Sequence, residues 1–372
     1  MVISIYDDFE NPHYAGGGPR VVRAVAELLD EDYRVLVVTA GTRWGRTRRG
    51  RLEHLILPVA RFSPRFSQVL WGLVLPVVAL LVRHDLWIES FTPPFSSNLV
   101  PLATRRPVVG LAQALSGREV SRRYRTSLPL RVERRLLWLY RDVVVLNPRD
   151  AAAVHEVSSR IRVHLLPNAV ERPPCAPSDP ADGRCALFLG RIDVTQKGLD
   201  LLLAAYAADH REAQASGGQH RLMPLVVAGG GRQEEEDALA GLLREAGPRV
   251  TWRGPVCGAE KEELLSGCAF LVVPSREESF CLSALEAMAR SRPVVRFDLP
   301  QLEWIPDGAG PVVPSFDAGA LREALERLSA DADLRRSAGR TAAQAAGPYV
   351  GRDKLDGYRH LVARLLDQRA AA

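Results

Sequence analysis

Short β-branched runs alternate with longer apolar-periodic stretches along most of the chain. Val2–Tyr6 is followed by Gly16-Gly17-Gly18 and then by Val21, Val22, Val25, Leu28 and Leu29. That order reads as a strand, a glycine loop and an amphipathic helix. Tyr33–Thr39, Asp85–Glu89, Pro107–Ala112 and Asp142–Leu146 read as further strands, with helical patterns between them. Repeated strand–helix units imply a parallel sheet covered by helices.

The alternation breaks at residues 170–180, which hold four prolines in eleven residues, with Gly183 close behind. This is linker composition. The pattern then restarts with strands at Cys185–Leu189, Leu225–Ala228, Arg249–Trp252, Phe270–Val273 and Val294–Phe297, separated by helical stretches at Gly198–Ala208 and Gln233–Ala246 and further helices. A chain of 372 residues exceeds what one core normally organises. The expected architecture is α/β, with two Rossmann-like, doubly wound parallel-sheet domains facing a central cleft. Residues 1–170 form the first domain, 171–183 the linker and 184–346 the second. Residues 347–372 form a C-terminal helix expected to pack back toward the first. Ligands of open parallel sheets bind beyond the carboxyl ends of the strands, so each domain offers that edge to the cleft.

Composition refines this picture only modestly. Hydrophobic residues at 47% and charged ones at 25% are ordinary for a soluble globular protein. The five cysteines, 175, 185, 257, 268 and 281, form no C-x-x-C pair, which argues against a structural zinc site or a disulfide framework and fits a reducing cytosol. The N-terminus shows no signal-peptide pattern. The longest apolar run, Val69 to Val82, contains a glycine and a proline and is too short to span a bilayer. It reads either as a buried helix or as an interfacial helix gripping a membrane. The expected location is cytoplasmic, with a peripheral position at the inner membrane face left open by that second reading.

Charge is uneven. Residues 1–172 carry 25 Arg and Lys against 16 Asp and Glu, and the remainder carries 24 against 28. Arg122, Arg123, Arg125, Arg131, Arg134 and Arg135 cluster in the positive half. They suit an anionic acceptor, a lipid headgroup or nucleic acid, but a solvated helical face is the simpler reading. With Tyr124 the one aromatic in the first part of the cluster, the stacking platforms of a single-strand binder are missing, so no nucleic-acid partner is expected.

The candidate chemistry lies in the second half. Gly190-Arg191 and Lys197-Gly198 flank a loop between a strand and a helix. Gly190 lets a ligand approach the backbone, while a planar Arg fork, a Lys point charge and a helix N-terminus together suit a diphosphate. A surface turn would show the same residues. Glu278-Ser279-Phe280-Cys281-Leu282-Ser283-Ala284-Leu285-Glu286 follows the strand Phe270–Val273. Eight helical residues rotate by about 80° from a whole number of turns, so the two carboxylates need not face one another. They are placed to touch two parts of one elongated ligand. Glu278 also reads as a capping partner of Ser275, and Glu286 as a solvated helix residue whose neighbours Leu282, Leu285, Ala287 and Met288 argue for burial.

Taken together, Gly190-Arg191…Lys197-Gly198, Val227-Ala228-Gly229-Gly230-Gly231, Arg253-Gly254-Pro255-Val256 and Val273–Phe280…Glu286-Ala287-Met288 resemble glycosyltransferase family 4 of the GT-B fold. The resemblance runs through most of residues 185–314, and Gly16-Gly17-Gly18 matches the family's N-terminal glycine loop more loosely. It implies that Arg191 and Lys197 neutralise a donor diphosphate, that Glu286 binds ribose hydroxyls and that Glu278 bonds a donor-sugar hydroxyl. Ser279 and Phe280 would offer backbone N–H groups near the phosphates, with Cys281 and Leu282 beside them. Gly190, Gly229 and Gly230 would line the donor, Val256 and its loop the base, and Gly16, Gly17, Gly18 and Gln113 the sugar and phosphates. The resemblance implies no metal and no cofactor beyond the nucleotide sugar, and the chain has no Asp-x-Asp motif. Departures are Gln113 in place of a frequent His, with His13 reading either as its substitute or, more simply, as a surface residue, and Cys281 in place of a frequent glycine. Leu299-Pro300-Gln301 replaces a glycine pair, with Glu303 a candidate equivalent beyond it.

The function implied is a retaining glycosyltransferase moving a sugar from a nucleotide-diphosphate sugar, UDP-linked in preference, to a hydroxyl of a natural product, lipid-linked sugar or polysaccharide. The alternative is a catalytically reduced nucleotide-sugar-binding partner. A nucleotide-sugar epimerase is disfavoured by the Arg191/Lys197 and Glu278/Glu286 combination, and a Rossmann dehydrogenase by the lack of G-x-G-x-x-G spacing at Gly16–Gly18.

Overall fold

The computed structural model describes residues 1–6, 17–91, 99–115, 117–123 and 125–370. The chain divides into two compact units, one formed by Met1–Ala169 with Arg352–Ala372 and the other by Val170–Gly351.

The first unit is built on eight strands, β1 (Val2–Ile5), β2 (Leu36–Ala40), β3 (Gly45–Arg49), β4 (Leu52–Leu57), β5 (Trp87–Phe91), β6 (Val108–Ala112), β7 (Asp142–Val145) and β8 (Arg162–Leu165). Their order in the sheet is β3-β4-β2-β1-β5-β6-β7-β8. All neighbours pair in parallel except β3, which runs antiparallel to β4 at the edge. Strands β1, β5, β6 and β7 are buried along their whole length, as expected when both faces of a parallel sheet are covered. Two hydrogen bonds join polar side chains drawn into this interior: Trp87 Nε1 donates to Ser4 Oγ at 2.8 Å, and Tyr140 Oη to Glu89 Oε2 at 2.6 Å. The C-terminal helix Asp356–Ala370 belongs to this unit and packs on the helix Gly18–Asp30.

The strand β3 is absent from the sequence reading for a physical reason. Residues 43–51 carry five arginines and no apolar alternation, so nothing in their pattern marks a strand. An edge strand needs only one bonded neighbour, and charged side chains on it discourage further pairing. The strand expected over Asp85–Glu89 lies two residues later, because Asp85 is exposed and pairs with Arg369 while Trp87 to Phe91 enter the core.

The long apolar run belongs to the helix Pro64–Leu81. One side of it, with Trp71, Leu75 and Ala79, is part of the core of the first unit. Its other side is exposed, so the helix is not buried all round. Among the described residues no helix is long and apolar enough to cross a membrane.

The second unit holds β9 (Ala186–Leu189), β10 (Leu225–Ala228), β11 (Val250–Trp252), β12 (Phe270–Val273), β13 (Val294–Phe297) and β14 (Val312–Val313). Their order is β11-β10-β9-β12-β13-β14, with every pairing parallel. The carboxyl ends of β9, β10 and β12 therefore lie side by side, and the loops that follow them converge.

The proline-rich stretch is fastened to this unit. Arg292, fully buried, donates to the carbonyls of Ser178 at 3.0 Å and Ser266 at 2.7 Å. Arg335 reaches the carbonyls of Pro180 and Ala181, and Arg336 pairs with Asp179. Proline-rich backbone has carbonyls to spare and few N–H groups, so buried guanidinium groups are well suited to hold it.

Candidate functional site

The loop after β9 starts at Gly190, whose N–H donates to the carbonyl of Ala228 on the neighbouring strand β10. Gly229, at the end of β10, has φ +143°, and a Cβ there would stand 1.7 Å from the Gly190 carbonyl oxygen. Only glycine permits that approach. Ile192 N–H then bonds the Gly230 carbonyl at 2.9 Å, so the loops after β9 and β10 are stitched together. At the far end of the first loop, Gly198 caps the helix Leu199–Ala215 with φ +65°, and a Cβ would meet the Pro274 carbonyl oxygen at 1.8 Å. These two glycines bring three strand ends within reach of one ligand.

Between them stand the cations. Arg191 donates to Asp193 Oδ2 at 3.1 Å and to Gln196 Oε1 at 2.5 Å, which holds the guanidinium along its own loop. Lys197 Nζ donates to Glu278 Oε1 at 2.6 Å, joining the loops after β9 and β12. The Lys197 side chain is 19% exposed and that of Glu278 8%. Ser275 Oγ also donates to Glu278 Oε1, at 2.7 Å, so the capping partnership and the ion pair coexist on one carboxylate oxygen.

Glu278 sits in the loop and Glu286 on the short helix Leu282–Met288. Each carboxylate holds a different lysine: Glu286 receives Lys261 from the helix Gly258–Gly267. The Lys261 and Glu286 side chains remain 14% and 18% exposed, enough to meet a ligand. The backbone between them is anchored from behind. Trp304 Nε1 donates to the Phe280 carbonyl at 3.0 Å, its ring stacks on that of Phe280, and Tyr349 meets both rings edge-on. Ser279 and Leu282 are half-buried.

Cys281 occupies the left-handed region at φ +63°, immediately before the helix. This explains why a glycine suits the position, and it marks a local strain. Burial pushes its thiol up to about 12, with the Glu278 charge adding to the effect, so the thiol stays protonated. Leu299 and Leu302 are buried around the 3₁₀ turn Pro300–Leu302, while Glu303 is exposed. On the other side, Trp252 Nε1 donates to the Gly229 carbonyl at 2.9 Å, and Val256 is buried.

Three contributors escaped the sequence reading. Arg276 grips Asp200 through two bonds of 2.7 Å and also reaches the Thr195 carbonyl, clamping the Lys197 loop to the Glu278 loop. Lys261 and Trp304 are the others. Arg276 lies inside the run Val273–Phe280 and the other two outside the quoted motifs, and their partners lie 76, 25 and 24 residues away in the chain.

In the first unit, Gly17 precedes the helix Gly18–Asp30, and Gly18 lies against Gln113: a Cβ on Gly18 would be 3.9 Å from Gln113 Cδ. Gln113 follows β6, and its amide lies 3.5 Å from Ser90 Oγ. Gly16, His13 and Tyr124 lie outside the described residues.

Two parallel α/β units, with a glycine-stitched, cation-bearing loop cluster at the strand ends of the second, define the GT-B fold. A sucrose-phosphate synthase from Thermosynechococcus elongatus has the same fold, with a TM-score of 0.81 at 22% identity over 100% of both chains. Residues 183–331 match the family described as glycosyl transferases group 1. Among curated relatives, a D-inositol 3-phosphate glycosyltransferase of Kineococcus radiotolerans is 31% identical over 52% of this chain and 47% of its own length. Another of the same name, from Frankia alni, is 33% identical over 54% of this chain and 53% of its own. The chain spans about half the length of the curated relatives it matches.

Proposed function

We propose that the chain is a retaining glycosyltransferase that takes a sugar from a nucleotide-diphosphate donor, a UDP-sugar in preference, and passes it to a hydroxyl acceptor. The observation that carries the proposal is the ion pair of Lys197 and Glu278 at adjoining strand ends, with Arg191 on the same loop as Lys197 and Glu286 on the helix that follows. The family match over residues 183–331 supports the same reading.

In this reading the diphosphate lies against Arg191 and Lys197. Both are already oriented by Asp193, Gln196 and Glu278, so little rearrangement is needed when negative charge develops on the leaving group. Charge stabilisation then comes from these side chains and from nearby backbone N–H groups, without a metal ion or other cofactor. Glu286 takes the ribose hydroxyls, as a carboxylate accepts two O–H donors. Glu278 bonds a hydroxyl of the donor sugar, its charge balanced by Lys197. Attack from the face that the diphosphate leaves retains the anomeric configuration, with the departing phosphate oxygen accepting the acceptor proton. Such chemistry depends on positioning and charge more than on a protein base. The acceptor falls to the first unit.

The test combines a donor screen with product analysis. Transfer from one nucleotide sugar should proceed with retained configuration by NMR and be unaffected by a chelator. Inverted product, or loss of activity with the chelator, would contradict those parts of the reading. Donor isomerisation without transfer, or donor binding with neither transfer nor hydrolysis, would replace it with an epimerase or a pure binder.

A further inference from the structure

On the helix Pro64–Leu81, Phe66, Val69, Leu73, Val77 and Leu80 recur at intervals of three and four residues and so form one stripe. All five are exposed, between 52% and 71%, although the opposite side of the helix is packed in the core. The stripe is about 21 Å long, at 1.5 Å per residue. Phe62 prolongs it at one end, meeting Phe66 edge-to-face at 5.1 Å, and the short helix Val100–Ala103 packs beside it with Leu102 exposed. An apolar surface this extended and continuous marks a docking site.

The charges around it say what docks. Between Glu53 and Asp85 the sequence has no carboxylate, and from Leu86 to Arg118 its one acidic residue is the buried Glu89. Asp85 is occupied by Arg369. Arg61 and Arg83 stand exposed just beyond the two ends of the helix, and Arg105 and Arg106 follow the short helix. Arg61 also donates to the Thr42 carbonyl, two residues before the exposed Trp44. An apolar stripe flanked by arginines, with no exposed unpaired carboxylate among the described residues of these segments, complements a surface that is apolar inside and anionic outside.

We propose that this face of the first unit docks on an anionic lipid bilayer, with the helix lying in the interface plane and the arginines on the headgroups. A second copy of the chain is the poorer partner. A twofold contact through this stripe would bring the arginines of one copy against those of the other, with no exposed unpaired carboxylate among the described residues of these segments to offset them. The inference stands on this surface alone, independent of the chemistry proposed for the second unit.

Co-sedimentation with sucrose-loaded vesicles tests it, comparing phosphatidylglycerol in phosphatidylcholine with phosphatidylcholine alone. The full chain should bind the anionic vesicles, and Leu73→Glu with Leu80→Glu should reduce that binding at least tenfold. Arg105→Glu with Arg106→Glu should weaken it by about fivefold or more for each charge, since a basic residue near such a surface contributes about 1 kcal/mol. All four positions are exposed, and circular dichroism verifies that the variants fold. Absence of binding, or binding that both double variants leave intact, overturns the proposal. So does a concentration-dependent dimer, in sedimentation, that Leu73→Glu with Leu80→Glu abolishes while vesicle binding is absent.

Discussion

Trp304 lies flat on Phe280, with ring centroids 4.7 Å apart and planes 3° apart, and its indole N–H bonds the Phe280 carbonyl. One side chain thus fixes both the ring and the backbone of the loop that carries Glu278 toward Glu286. Trp304→Ala should cost roughly 2–4 kcal/mol of stability, from lost burial and the lost aromatic pair. Trp304→Phe should keep the stacking and forfeit about 1 kcal/mol for the hydrogen bond. Chemical denaturation of the three proteins measures the order, and nucleotide affinity should fall in the same order.

Glu278 and Lys197 are paired and largely buried, so removing the carboxylate changes the charge of the site as well as its shape. Glu278→Gln leaves Lys197 uncompensated, and the diphosphate then meets a more positive site. Nucleoside diphosphate affinity should hold or rise, while kcat falls on the order of 10²–10³-fold through loss of the sugar contact and of a preorganised site. Lys197→Ala should instead weaken the diphosphate and lower kcat together. Titration calorimetry and steady-state kinetics separate the two patterns.

Cys281 holds φ +63°, a region that costs a non-glycine residue about 1–2 kcal/mol. Cys281→Gly relieves that strain while giving up a small buried side chain, and should fall within about 1 kcal/mol of the parent. Cys281→Val adds a β-branch where none fits and should destabilise by more than 2 kcal/mol. Melting temperatures decide the matter. Neither change depends on thiol chemistry, because the thiol is protonated at neutral pH.

Asp150, in the first unit, follows the helix cap Asn147 and accepts a hydrogen bond from its amide. Burial raises its carboxyl from the ordinary 3.8 to about 6, with Asn147 and Arg149 opposing the shift. The folded state therefore binds this proton more tightly than the unfolded chain. Its contribution to stability is complete below pH 3.8 and is lost as pH rises through about 6. Asp150→Asn removes the titration and keeps an acceptor for Asn147. The difference in stability, variant minus parent, should grow in favour of the variant by about 2–3 kcal/mol between pH 4 and pH 7. A difference independent of pH would contradict the assignment.

What the sequence disclosed follows from how far apart the cooperating residues lie. Arg191, Lys197, Glu278 and Glu286 sit in two short runs whose spacing signals a strand end and a helix start, so their placement could be anticipated. The glycines at 198 and 229 were visible as residues, but the carbonyls that exclude a side chain there belong to Pro274 and Gly190 and appear only in the fold. Arg276, Lys261 and Trp304 look like ordinary surface or core positions until their distant partners are brought to them. The same holds for Arg292 and Arg335, whose charges are buried to hold the proline-rich stretch that composition alone reads as a free linker. The strand β3 was hidden because an arginine-rich edge strand carries no hydrophobic period. On the helix Pro64–Leu81 the apolar run was plain, but apolar residues on all sides gave no sign of which side would stay exposed.

The central claim is that the second unit binds a nucleotide sugar through Glu286 and the Arg191–Lys197 loop. Thermal-shift measurements with UDP, GDP, TDP and ADP sugars, on the parent chain and on Glu286→Ala, address it directly, because a ligand that binds the native state raises apparent stability by mass action. One donor, UDP-linked in preference, should raise the parent's melting temperature by several degrees, and the substitution should remove most of that rise, each protein being compared with its own unliganded melting temperature. A flat response of the parent to every donor, or an equal rise in Glu286→Ala, would contradict the account.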